Sequence, residues 1–165
     1  MKTRRLLRFT AVCCAAAALF ATVAPPLAAH ESSPAHTAGI DVRHPIPLNA
    51  DERAFLLAEM REFLVATQRI LAASQAGDMK SVAEAASSVG LKAHKDDFAN
   101  PNSMVHDIRR KAPPAFLPLG RTTHAGFDEI ADIATTMGDK DAVNQLLAAN
   151  LQNCVACHAG YRIAD

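Results

Sequence analysis

The sequence predicts an all-α fold, an antiparallel four-helix bundle. Three observations lead there. Apolar residues recur at intervals of three and four from Leu48 onward, Gly-Asp pairs at 77–78 and 138–139 interrupt that rhythm as short turns, and no stretch alternates apolar and polar residues as a half-buried strand would. Two such turns and one longer middle crossover, over residues 100–112, divide residues 48–165 into four helices.

The segment before the bundle divides in two. Lys2, Arg4, Arg5 and Arg8 precede an apolar, alanine-rich run over residues 9–23, followed by Pro25, Pro26, Leu27, Ala28 and Ala29. This reads as a secretory signal peptide over residues 1–29, cleaved after Ala29, which implies export to the periplasm. The apolar run is about 15 residues against the ~20 a membrane span needs, so no membrane span is expected after its removal. Cys13 and Cys14 lie inside it and read as small apolar residues, because almost no apolar stretch precedes them as a lipoprotein signal would require. Residues 30–47 follow with Pro34, Gly39, Pro45 and Pro47 and no helical or strand period, the pattern of a flexible or extended arm. His30, His36 and His44 punctuate the arm at no fixed spacing and read as solvated histidines rather than metal ligands.

Removal of residues 1–29 takes four of the 17 basic residues and none of the 17 acidic ones, so the mature chain carries net charge −4. Its 136 residues suit one domain. A mildly acidic chain without a basic patch gives no reason to expect nucleic acid as a partner.

Asn49 or Asp51 can cap the first helix, in which Leu57, Met60, Leu64, Thr67 and Leu71 form the expected inner stripe, widened by Phe55, Phe63 and Ile70. Gly77 ends it. Asp78 caps a second helix through Met79, Val82, Ala85, Ala86, Val89 and Leu91, expected to run to about Phe98, where Asn100, Pro101 and Asn102 break it. The crossover is polar, with Met104 and Ile108 as anchors. Pro113 and Pro114 open a third helix with apolar positions Phe116, Leu119, Thr123, Phe127, Ile130, Ile133, Ala134 and Met137, and Pro118 falls in its first turns, where a missing N–H costs least. Asp139 caps the last helix, whose inner stripe is Val143, Leu146, Leu147, Asn150, Leu151, Cys154, His158 and Tyr161.

The run Cys154, Val155, Ala156, Cys157, His158 carries the chemistry. It reads as a covalent c-type haem attachment site, in which two thiols add across two vinyl groups of one porphyrin and the adjacent imidazole reaches its iron. On a helix, Cys157 stands about 60° short of a full turn from Cys154 and His158 about 40° past it, so all three leave one stripe. Competing readings are weaker on chemistry. A structural zinc site needs four ligands and no second CxxC or HxxxH lies nearby. A redox dithiol sits typically at a helix N-terminus in a βαβ pattern, and none is present. Cys154 and Cys157 are the only cysteines of the mature chain, and a disulfide closing so short a loop would constrain almost nothing.

With Tyr161 and Arg162 at the third and fourth positions after His158, the motif CxxCHxxYR on the last helix of a bundle resembles that of the class II c-type cytochromes, the cytochrome c-prime group. The resemblance covers the chain from about Leu48 to the end. It implies one haem c with thioether bonds to Cys154 and Cys157, His158 as proximal iron ligand, and Arg162 near the proximal side. Tyr161 stands beside the haem on the same analogy, with core packing at the helix end as its plainer role. The arm and the crossover have no counterpart in the matched motif. In the resembled family an inward residue of the first helix meets the distal face, where an aliphatic side chain leaves iron five-coordinate and a methionine makes it six-coordinate. Met60 is the candidate distal ligand, with plain core filling as its other reading; Leu56, Leu57 and Leu64 compete for that register.

His124 lies one position off the third helix's stripe and could approach the haem edge or face water beside Arg121. His94 and His106 sit among polar residues and are expected to be exposed. The resulting expectation is a periplasmic monohaem electron carrier that docks redox partner proteins transiently, with a thioether ligand favouring ferrous iron and a raised potential. The alternative is a five-coordinate haem protein that binds or senses a diatomic gas such as nitric oxide. An enzyme is not expected, since no distal acid and base can be placed over the iron from sequence. Homodimerisation through the first two helices is a further analogy with the family.

Overall fold

The computed structural model describes residues 40–164, so the expected signal peptide over residues 1–29, with Cys13 and Cys14, and His30 and His36 of the arm lie outside the described residues. The described chain is mostly helical, in the order β1 (His44–Ile46), α1 (Ala50–Ala76), α2 (Met79–Ser87), α3 (Lys95–Ala99), α4 (Met104–Lys111), α5 (Phe116–Thr136), α6 (Lys140–Gly160) and β2 (Tyr161–Ile163). α1 packs on α2, α2 on α5, α5 on α6, and α6 again on α1.

Local chemistry sets most of the helix ends. At the start of α1 the Glu52 N–H donates to the Asn49 side chain at 2.9 Å, and the Asn49 N–H donates to the Glu52 carboxylate at 2.8 Å, a reciprocal capping box. Asp78 and Asp139 cap α2 and α6 through the N–H groups of Ser81 and of Asp141 and Ala142. Gly77 closes α1 at φ 73°, and Gly138 follows α5 at φ 63°, a left-handed backbone that a Cβ would disfavour.

Tertiary contacts decide the remainder. α2 ends at Ser87, well short of Phe98, because the chain there turns onto α5. The Leu91 N–H donates to the His124 carbonyl at 3.2 Å, and the Lys92 N–H to the Asp128 carboxylate at 3.1 Å, in place of the next helical bonds. A Cβ at Gly90 would overlap the Asp128 side chain, so only glycine permits that approach. The polar crossover is also more ordered than expected: residues 104–111 form α4, anchored by buried Ile108. Lys111 Nζ at its end donates to both oxygens of Glu52 at 2.7 and 2.6 Å, which ties α4 to the cap of α1. That ammonium, first, and the Asn49 N–H hold the Glu52 carboxyl below its ordinary value.

The first helix faces the core differently from the expected stripe. Phe63, Ala66, Ile70 and Ser74 are buried, whereas Leu64 is 70% exposed and Leu57 and Leu71 are partly exposed. Apolar residues cover two adjacent faces of α1, and the neighbours select between them: Ala66 permits close packing, and the Ser74 hydroxyl donates to Asn144 of α6 at 2.9 Å. Met137 is likewise exposed. The core joins that α1 face to Val82 and Ala86 of α2, Phe127 and Ile130 of α5, and Val143 and Leu147 of α6.

The end of the arm forms a strand, contrary to the absence of a strand period there. β1 pairs in parallel with β2, with His44 opposite Tyr161, Pro45 opposite Arg162 and Ile46 opposite Ile163. Ile46 is buried, and its carbonyl accepts the Ala164 N–H at 2.9 Å. α6 consequently stops at Gly160, so Tyr161 stands in β2 and not on the helical stripe.

Ile70→Ala is expected to cost about 2–5 kcal/mol in denaturant unfolding, and Leu64→Ala less than about 0.5 kcal/mol; the reverse order would return α1 to the other face. Lys111→Met is expected to lower the melting temperature at pH 7. Because the Glu52 carboxyl is held below its ordinary 4.5, the stability it contributes is complete above that pH and is lost as pH falls through the folded value. The gap between variant and parent in a pH series of melts therefore narrows below about 4.5.

Candidate functional site

A cavity of about 540 Å³ opens between α1, α5 and α6, within the size range of small-molecule and cofactor sites. Its walls are mainly apolar, with Phe55, Leu56, Phe63, Val105, Leu117 and Leu119 among them. Cys154, Cys157 and His158 of α6 and Met60 of α1 all line it. The helical spacing of the CxxCH run thus becomes a shared surface, with both cysteines half-buried and His158 exposed. Met60 is half-buried and also packs against the core, so cavity lining and core filling coincide in one side chain. Leu56, Leu57 and Leu64 line the cavity as well.

The thiols are free and stand near the C-terminal end of α6. Burial pushes both up from the ordinary thiol value, and Cys154 adds to the shift of Cys157. A redox dithiol requires the opposite, a lowered thiol at a helix N-terminus, where the dipole favours a thiolate. Zinc is also poorly served, since among the described residues Cys154, Cys157 and His158 form no group whose ligand atoms converge.

Tyr161 and Arg162 do not line this cavity. The Tyr161 ring meets Phe116 edge-on at 5.4 Å and His44 at 6.4 Å, a packing position beside the end of α6. Arg162 Nε lies 3.6 Å from Asp41. Arg43 pairs with the same carboxylate at 2.7 Å, holding it down at about 2, and reaches the His158 carbonyl at 3.5 Å. These basic groups therefore bind the arm to the end of α6.

His124 is buried, not turned to water beside Arg121. Its Nδ1 is 2.8 Å from the Val89 carbonyl, and its ring packs on Phe63 at 4.7 Å and Phe98 at 5.6 Å. His94 is not exposed as expected either: its ring lies 5.0 Å from that of His124, and its Nε2 is buried. His106 is half-buried against the Phe98 carbonyl at 3.1 Å, because α4 folds over α3. Glu59 of α1 completes the group, its Oε2 3.7 Å from His124 Nε2. That separation suits an ion pair, yet burial lowers His124 and raises Glu59, so both groups move toward neutrality. We read them as two neighbouring groups without full ionic pairing. Glu59, His94 and His124 could hold a metal ion.

Sequence reasoning missed this group. Its members come from α1, the turn before α3, and α5, so no spacing links them, and Glu59 reads as solvent-facing on a helix with many charges. The only local signal was the His94-to-Asp97 interval, which sets a carboxylate beside an imidazole.

A scan of protein-family models and searches of curated proteins and of solved structures found no match to this chain.

In protein prepared without any attached group, alkylation of Cys154 and Cys157 by iodoacetamide is expected to be slow at pH 7 and to rise with a midpoint above 9.0. A midpoint below that value would restore the redox-dithiol reading.

Proposed function

We propose that the protein is an exported monohaem c-type cytochrome that carries electrons, built as a four-helix bundle of α1, α2, α5 and α6. The observation that carries this reading is the cavity wall itself: both cysteines of the CxxCH run and its histidine border one apolar space large enough for a cofactor. The residues fit the group on their chemistry. Free, protonated thiols suit thioether formation to vinyl carbons, and an exposed imidazole is available as an axial ligand. Haem, once bound, supplies a one-electron couple whose potential follows its axial ligands and its surroundings.

The chain's own side chains would have distinct tasks. Cys154 and Cys157 would hold the macrocycle through thioether bonds, His158 would be its iron ligand, and Met60, lining the same cavity from α1, would be the candidate second ligand. Phe55, Leu119 and their apolar neighbours exclude water from it. The β1–β2 pair and the Arg43 contact with the His158 carbonyl hold the end of α6, which limits the movement of the proximal imidazole. Val155 is 62% exposed between the two cysteines, so this edge of the site meets solvent, where a redox partner protein could dock through a small transient interface. Residues 1–29 supply the export signal that places the protein in the periplasm. Among the described residues no helix is long and apolar enough to cross a membrane.

A second reading follows from Leu56, Leu57 and Leu64, which border the same cavity as Met60. With an aliphatic side chain in place of a thioether there, the protein would hold a haem open to a diatomic gas such as nitric oxide.

Absorption spectra of the ferric and ferrous protein test both readings. A low-spin spectrum that becomes high-spin in Met60→Ala, with a lower reduction potential, is the expected result; a high-spin spectrum unaffected by the substitution assigns the gas-binding form. Acid extraction of the double variant Cys154→Ser, Cys157→Ser should release all haem, and haem retained through extraction would overturn the covalent attachment.

A further inference from the structure

The Glu59, His94 and His124 group contains neither thiol and has no part in attaching a haem. One ligand atom from each lies within 4.8 Å of the other two. We propose that these three side chains form a separate metal centre that binds a first-row divalent ion through the Glu59 carboxylate and the Nε2 atoms of His94 and His124, leaving a coordination position toward the cavity.

The outer contacts favour this arrangement. The Val89 carbonyl only accepts, so His124 Nδ1, 2.8 Å away, carries the proton and Nε2 keeps its lone pair. His94 has a carboxylate near its other nitrogen, Nδ1 being 3.7 Å from Asp97, beyond hydrogen-bond reach, while its Nε2 is buried and makes no hydrogen bond among the described residues. A polar ring atom left buried without a partner costs about 1–3 kcal/mol, a cost that coordination would remove.

Distances and charge agree with it. Glu59 Oε2 and His124 Nε2, at 3.7 Å, are too far apart for a hydrogen bond. A tetrahedral ion with bonds of ~2.0–2.1 Å holds its ligand atoms about 3.3 Å apart, so small side-chain rotations close the site. Burial disfavours the charged form of His124, and the neutral imidazole is the form that ligates; a bound cation would in turn favour the ionised Glu59 carboxylate against its burial. Two imidazoles and one carboxylate suit zinc and ferrous iron alike, and with three protein ligands the ion retains an open position. Glu59 and His124 both line the cavity, so that position can face it.

Zinc is the probe, since it is spectroscopically distinct from any iron present. Calorimetric titration of the full exported chain with Zn²⁺ should give one site per chain, and zinc-edge X-ray absorption should show nitrogen and oxygen neighbours at ~2.0–2.1 Å. Glu59→Gln, His94→Ala and His94→Gln should each weaken binding at least ~10-fold. Replacement of His30, His36 and His44 together should leave it unchanged. The proposal is overturned by the absence of a saturable site, or by affinity that survives Glu59→Gln and both His94 variants. It is also overturned by sulfur at ~2.3 Å from zinc, which would in addition show that the thiols are not in thioether bonds. Release of haem on acid extraction with the nitrogen and oxygen shell intact would defeat only the covalent-haem reading.

Discussion

The rotation of α1 about its own axis is the constraint on which the cavity depends. Apolar side chains occupy more than one face of this helix, so amphipathicity alone permits more than one rotation. Burial of Phe63, Ala66 and Ile70, together with the hydrogen bond from Ser74 to Asn144, selects one of them. Completely burying a side chain such as Ile70 contributes about 1.5–3 kcal/mol, and Phe63 and Ala66 are buried on the same face, so together they outweigh the single leucine, Leu64, left mostly exposed. With that rotation set, Glu59 and Met60 both reach the cavity wall, and Leu64 lies partly outside.

A second consequence follows where α2 stops. Continued to Phe98, α2 would keep its backbone bonds internal and leave Val89 with no free carbonyl for His124. Turned onto α5 instead, the chain offers Leu91 and Lys92 N–H groups to α5 and the Val89 carbonyl to the imidazole. The same turn brings His94 against His124. The meeting of a buried imidazole, a partly buried one and a carboxyl is therefore a product of one local departure from the helix, with Gly90 permitting the close approach to Asp128.

The other end of the cavity follows a different logic. Cys154 and Cys157 sit in the last two turns of α6, where the helix dipole and burial both oppose a thiolate. The parallel β1–β2 pair then fixes the chain immediately beyond the helix, and the Asp41, Arg43 and Arg162 charges gather on that seam. The thiol end and the histidine-carboxylate group thus share a cavity while depending on separate elements. This is why haem attachment and metal binding are independent proposals.

What the sequence determined by itself is what depends on neighbours within about one helical turn. The caps at Asn49, Asp78 and Asp139, the stops at Gly77 and Gly138, and the common stripe of Cys154, Cys157 and His158 follow from backbone hydrogen bonding and a period of 3.6 residues. The helical class was legible for the same reason. Only the tertiary structure decided which face of α1 is inward, where α2 ends, that a polar crossover folds as α4, and that the arm closes on residues after α6. It also decided the meeting of Glu59, His94 and His124, because each lies on a different segment. Their burial energies arise from contacts distant in sequence, which no local spacing records.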